Sequence, residues 1–113
     1  MSVAEVVTTG LAPNEFEVSL GSLGVLRGRV DPRSIMEAEK RLGSFMGLAK
    51  AAIDNQIGFA QIVTLIEVLV HPVMGRAAPK REEIESGVLE AGLRHVVTAL
   101  YTPFAYALNG SAE

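Results

Sequence analysis

The chain has 113 residues, 49% of them apolar and 20% charged, a balance that lets one domain bury a core of its own and excludes an intrinsically disordered chain. Ten basic residues against thirteen acidic ones leave a net charge of −3, which provides no general attraction to phosphate backbones or anionic bilayers, so neither nucleic acid nor a membrane is an expected partner. The absence of cysteine removes disulfides, thiol nucleophiles and sulfur ligands for metals, and is compatible with a reducing, cytoplasmic setting.

The first residues carry Glu5 and Thr8-Thr9 where a secretory signal needs a basic start and an apolar centre. Residues 1–14 therefore read as a flexible lead-in without a targeting segment. From Glu15 the run EFEVSL alternates, with Phe16, Val18 and Leu20 on one side and Glu15, Glu17 and Ser19 on the other, the period of a half-buried strand. A second alternating run, VLRGRV, follows the turn-forming GSLG. Keeping one face apolar pairs Leu20 with Leu26, Val18 with Gly28 and Phe16 with Val30, and sets Glu17 against Arg29 on the wet face. That register implies a loop of Ser22-Leu23-Gly24 with positive φ at Gly24.

Asp31-Pro32 reads as an N-cap followed by proline at the first helical position. Ile35, Ala38 or Glu39, and Leu42 then recur at helical spacing, while Glu37, Lys40 and Arg41 face water and Gly43 ends the helix in a left-handed cap. Ser44 caps a short second helix that stops near Asp54-Asn55. From Ile57 to Val70 the polar residues Gln61, Thr64 and Glu67 form one narrow wet stripe on an otherwise apolar cylinder, which belongs in the middle of the domain. This run contains Gln61 and Glu67 and is shorter than the roughly 20 residues that cross a bilayer.

His71-Pro72 ends the central helix, with His71 as a cap on its last turn, and HPVMGRAAP reads as a connecting loop. A fourth helix starts near Pro79, with Glu82, Glu83 and Glu85 in its first turns and Ile84, Val88 and Leu89 as its buried side. In EAGLRHVV, Gly92 breaks the helix at a positive φ; Leu93 and Val96 anchor the next helix in the core while Arg94 and His95 lie toward water. Pro103 predicts a kink or break in that last helix, and Asn109-Gly110 terminates it. The expected fold class is thus α+β, an N-terminal β-hairpin followed by a bundle of four to five short α-helices, with residues 15–110 as a single globular domain and 111–113 as a tail.

Catalytic constellations are sparse. His71 and His95 lie far apart with no metal-ligand spacing between them, so neither a metal nor a cofactor is expected. Glu90 and His95, five positions apart, stand about 140° apart around a helix and do not point together. Glu67 is the nearest candidate for a general acid or base, yet a lone glutamate on a polar stripe reads more simply as part of that stripe. Ser44 and Ser86 lack nucleophile-elbow glycines, and GSLG lies in a hairpin rather than between a strand and a helix. A non-enzymatic chain is expected, whose surface serves another protein. Phe45, Met46, Met74, Phe104 and Tyr106, near helix junctions and the chain end, are the candidate partner-binding side chains, although for each residue alone the core is the simpler reading.

A hairpin, then D-P-x-x-I-M-E-A-E-K-R-L-G from Asp31 to Gly43, then a central apolar helix, then P-K-R-E-E-I followed by V-L-E-A-G-L-x-x-V, is an order that resembles the small tail proteins of gene transfer agents and related tailed phages. These are commonly grouped with phage tail assembly chaperones and sometimes labelled tail tube proteins. The residues that carry the resemblance are Glu39, Leu42 and Gly43, then Glu82, Glu83 and Ile84, then Gly92, Leu93 and Val96, within a match that runs from about residue 15 to 108. The glycine-bearing second strand and Pro103 in the last helix depart from the pattern.

The resemblance implies a non-enzymatic role in virion tail morphogenesis, with no catalytic residues to carry over. It implies an assembly chaperone that binds the tape measure protein, or another tail protein, in the cytoplasm or on the particle. The alternatives are a structural, tube-associated tail component that self-assembles, for which a homo-oligomer is expected, and a small ligand-binding module.

Overall fold

The computed structural model describes residues 11–70 and 78–110. Alternation of apolar and polar side chains folds Glu15–Ser19 (β1) and Val25–Arg29 (β2) into an antiparallel hairpin. Phe16, Val18, Leu20, Leu26 and Val30 are buried, whereas Glu17, Arg27 and Arg29 face solvent, as a strand with one wet side requires.

The register is two residues away from the expected one. Val18 lies opposite Leu26, Phe16 opposite Gly28, and Glu17 opposite Arg27, the last pair closing an ion pair at 3.2 Å. Apolar faces dictate only whether the register is odd or even, and a slip of two leaves both faces intact. The connection makes the choice: the Leu20 N–H donates to the Gly24 carbonyl at 2.9 Å around a 3₁₀ turn over Gly21–Leu23, which moves the three-residue loop one position back from Ser22-Leu23-Gly24. Gly24 has the expected positive φ, 88°.

Five helices follow: α1 (Pro32–Leu42), α2 (Phe45–Ile53), α3 (Phe59–Leu69), α4 (Arg81–Ala91) and α5 (Leu93–Asn109). The α+β architecture of a hairpin and a helical bundle is as the sequence predicts. The start of α1 is a reciprocal cap, in which Asp31 Oδ1 accepts from the Ser34 N–H at 2.8 Å and Ser34 Oγ accepts from the Asp31 N–H at 2.9 Å. Gly43 ends α1 at φ 94° with an extended ψ of −153°, rather than in a left-handed turn. This geometry turns the chain so that Glu39 accepts from the Phe45 N–H at 3.0 Å and Ser44 Oγ accepts from the Gly47 N–H at 3.2 Å. α2 ends at Asp54-Asn55, where Asn55 takes a φ of 59°.

One core joins both elements of the fold: the inward side of the hairpin packs with Leu48, Ile62, Leu65, Ile66, Ile84 and Leu100, among others. Gly28 is where β2 meets the end of α3, through a single antiparallel bridge to Val70. A Cβ at position 28 would press into the Leu69 carbonyl and the ring of Phe16.

α5 runs unbroken from Leu93 to Asn109 with Pro103 inside it, so the expected break at the proline does not occur. Proline removes one backbone donor at a cost of about 3 kcal/mol in an isolated helix. Here its ring and its neighbours Leu100 and Phe104 are buried, and packing on both sides holds the helix together. Gly110 closes it in the left-handed conformation. A second correction concerns Leu89, which is 71% exposed; Ile84, Gly87 and Val88 form the buried side of α4. Leu93 likewise stands 41% exposed, leaving Val96 as the anchor of the first turn of α5. The segment from His71, with its expected cap and loop up to residue 77, lies outside the described residues, as do the first ten residues and the tail from 111. Among the described residues no helix is long and apolar enough to cross a membrane.

Two predictions follow from the close contact and the cap. Gly28→Ala meets a backbone carbonyl that has no rotamer to yield, so we expect chemical denaturation to show a loss of about 1–3 kcal/mol. Asp31 is held below the usual carboxylate range, first by the Ser34 backbone N–H and then by the Ser34 hydroxyl and Arg29, against a smaller opposing effect of burial. A lowered folded-state value contributes stability above the unfolded value of about 3.9, and that contribution is lost as pH falls through the folded one. Asp31→Ala is expected to cost about 1 kcal/mol at neutral pH, with the difference from wild type shrinking toward pH ~2.

Candidate functional site

The polar stripe of α3 is only partly open to water. Thr64 is buried and its hydroxyl accepts from Arg81 Nη1 at 3.1 Å. Glu67 Oε1 accepts from Arg41 Nη1 of α1 at 2.9 Å and from Arg81 Nη1 of α4 at 3.2 Å. Gln61 turns back to accept from the Gly58 N–H at 3.0 Å, closing the start of the helix. Two guanidinium groups from neighbouring helices therefore cover the stripe. Outside them, Glu37 pairs with Arg41 at 3.2 Å and Glu85 with Arg81 at 3.5 Å, each one turn away along its own helix.

Glu67 lies at a seam between three helices, both partners of its Oε1 being permanent cations, and it is the one charged residue lining a recess of about 320 Å³ with Val70, Ala78, Pro79 and Ile84. Glu67→Gln keeps the shape and removes the charge, and should lower unfolding free energy by about 1–2 kcal/mol once solvent screening is allowed for. Repeating the denaturation in about 1 M salt should reduce that difference, because the pairs are partly exposed.

The other chemistry-bearing residues are also occupied or dispersed. Ser44 caps α2. Ser86 lies on the exposed side of α4 with Glu82 and Glu83, in a shallow depression shared with Ser22 and Leu23. His95 is exposed on the first turn of α5; His71 lies outside the described residues. Among the described residues no group of three or more His, Asp or Glu side chains is placed to hold a metal ion.

Of the candidate partner-binding residues that lie among the described ones, two are buried in the core. Phe45 and Phe104 meet in the core, ring centroids 5.3 Å apart and planes at 76°, an edge-to-face pair between α2 and α5. Their place in the core removes them as groove residues. Tyr106 is half-buried, Met46 is 68% exposed, and Met74 lies outside the described residues.

The joint between α4 and α5 offers a more coherent surface. Gly92 turns the chain at φ 96°, and the exposed Leu89 and Leu93 stand on either side of it. Beside Leu93 is a recess of about 310 Å³, lined by Asn55, Ile57, Ile62, Leu93, Arg94 and Val97, where the end of α2, the approach to α3 and the start of α5 converge. Along α5, Leu93, Val97 and Tyr101 follow one another at four-residue spacing; Tyr101 is 50% exposed, while Val97 is buried between the two exposed side chains.

Sequence reasoning missed this surface, although part of its signal was present. Leu89 falls about 100° off the stripe of Ile84 and Val88, and a helical projection of α4 places it at the edge. The exposure of Leu93 follows from its position at a helix start, where no preceding turn covers it. Comparison of the chain with family models, curated proteins and solved structures finds no match.

Proposed function

We propose that the chain is a non-enzymatic protein of phage-like tail morphogenesis, an assembly chaperone that binds the tape measure protein before the tube forms around it. What supports this reading is the resemblance in order of elements together with the exposed apolar side chains at its most distinctive point. Leu89 and Leu93 flank Gly92 and remain in solvent, at the joint whose residues carry the resemblance. Exposed apolar groups beside a recess suit a partner with apolar helices of its own. A tape measure is such a partner: before assembly its long amphipathic helices are an aggregation hazard, and a small helical protein can cover them transiently.

The self-assembling alternative calls for a sheet edge or ring-forming surface. The hairpin has two strands of five residues each, and Glu17, Arg27 and Arg29 project from them into solvent. Short strands carrying charge resist edge-to-edge growth, which favours the chaperone reading, in the cytoplasm or on the nascent particle.

Co-expression with a tape measure protein, sought among the genes neighbouring that of this chain, tests the proposal. We expect the two to co-purify, and the tape measure to be more soluble in company than alone. A tape measure equally soluble by itself, with no binding, would rule the role out. Light scattering that shows growth into large assemblies with concentration would favour the structural alternative.

A further inference from the structure

We propose that the recess at the α4–α5 joint is a docking site for an amphipathic helix that presents an apolar stripe flanked by a carboxylate, with Arg94 as the group that selects the charge. The observation behind it is an ion pair that the fold prevents. Glu90 and Arg94 are four residues apart, the spacing at which a glutamate and a following basic residue pair along a helix. At φ 96° Gly92 breaks the helix between them. Glu90 instead turns to the hairpin, its Oε1 accepting from the Ser22 N–H at 2.8 Å, and its other oxygen lies 3.4 Å from the Ser22 hydroxyl.

Arg94 is left without an ion pair among the described residues, and it lines the recess. Of the six lining residues four are aliphatic, one is Asn55, and the only charge is this cation. The complementary surface is therefore apolar with an acidic group at its edge, and a basic partner would bring like charges together.

The shape argues for a helix. At about 310 Å³ the recess lies at the small end of what encloses a small molecule, and it opens to solvent, so it suits a side chain presented from outside. Leu93 and Tyr101, both exposed, stand eight residues apart on α5, a rise of about 12 Å, with the buried Val97 forming the floor between them. Two turns of a partner helix, with apolar anchors at i, i+3 or i+4, and i+7, match that length. The inference rests on the protein-binding reading above, and the tape measure is required only as the source of the natural helix.

The test uses the full chain and three 20-residue alanine-based helical peptides. One carries leucines at i, i+4 and i+7 with glutamates beside them, one has lysines in place of the glutamates, and one has serines in place of the leucines. Fluorescence anisotropy should show the glutamate peptide binding about five-fold more tightly than the lysine peptide, with the serine peptide weakest. Amide chemical shifts should move at Asn55, Ile57, Leu93, Arg94 and Val97. Arg94→Glu, an exposed substitution whose folding is checked by circular dichroism, should reverse the charge preference, and Leu93→Asp should weaken both charged peptides. Equal binding of the two charged peptides, shifts confined to another face, or a preference unchanged in Arg94→Glu would overturn the proposal. So would a concentration-dependent dimer that moves the same amides without peptide, since the occupant would then be a second copy. If the glutamate peptide binds in this way but the tape measure does not, the docking site stands and the tail role falls; if the tape measure binds Arg94→Glu and Leu93→Asp chains as well as wild type, the docking site falls and the tail role stands.

Discussion

Glu67 accepts hydrogen bonds from Arg41 and Arg81, and through that one oxygen α3 is held between α1 and α4. The remainder of α3 is almost wholly apolar, so it must be enclosed, and its one polar stripe is the only side along which polar neighbours can approach without loss. Arginine suits that position, because its apolar stem lies along the helix surface while its planar head reaches a carboxylate at the seam. With α1 and α4 placed in this way, the hairpin closes one remaining side through Gly28 and Val70, and α5 contributes Val96, Leu100 and Phe104 to the same core.

The joint at Gly92 distributes charge as well as direction. A continuous helix would use Glu90 and Arg94 on each other at the surface, where such a pair is worth a few tenths of a kcal/mol. The break separates them. Glu90 ties α4 to the 3₁₀ turn of the hairpin, and Gly87 on the same helix packs directly on the Leu20 backbone. Arg94 and Leu93 are set on the opposite side of the break, at the mouth of a recess. The same residue that terminates α4 thus produces the contact that locks the hairpin and the surface that is left open.

Local signals were read well wherever one residue decides the geometry. Asp31-Pro32, Ser44, Gly92 and Asn109-Gly110 mark helix ends because a cap or a positive φ depends on the residue present and not on distant partners. Readings that depended on what lies across the fold fared less well. Thr64 and Glu67 read as solvent-facing because nothing in α3 itself announces Arg41 and Arg81. Pro103 read as a break because the packing that holds α5 together comes from other elements. Phe45 and Phe104, nearly sixty residues apart in the chain, each read more simply as core than as groove residues, but nothing local shows that each is the other's partner.

The sequence by itself determined the element order, the caps, the two faces of the hairpin and the place of the turn in EAGLRHVV, since each follows from side-chain period or from the backbone freedom of one residue. Only the tertiary structure decided the hairpin register, the covering of the α3 stripe, the continuity of α5 and the exposure of Leu89 and Leu93. A period of two is blind to a slip of two, and helical periodicity reports which residues share a face but not what stands against that face. Burial and pairing are relations between segments far apart in the chain, and they come into being only when those segments meet.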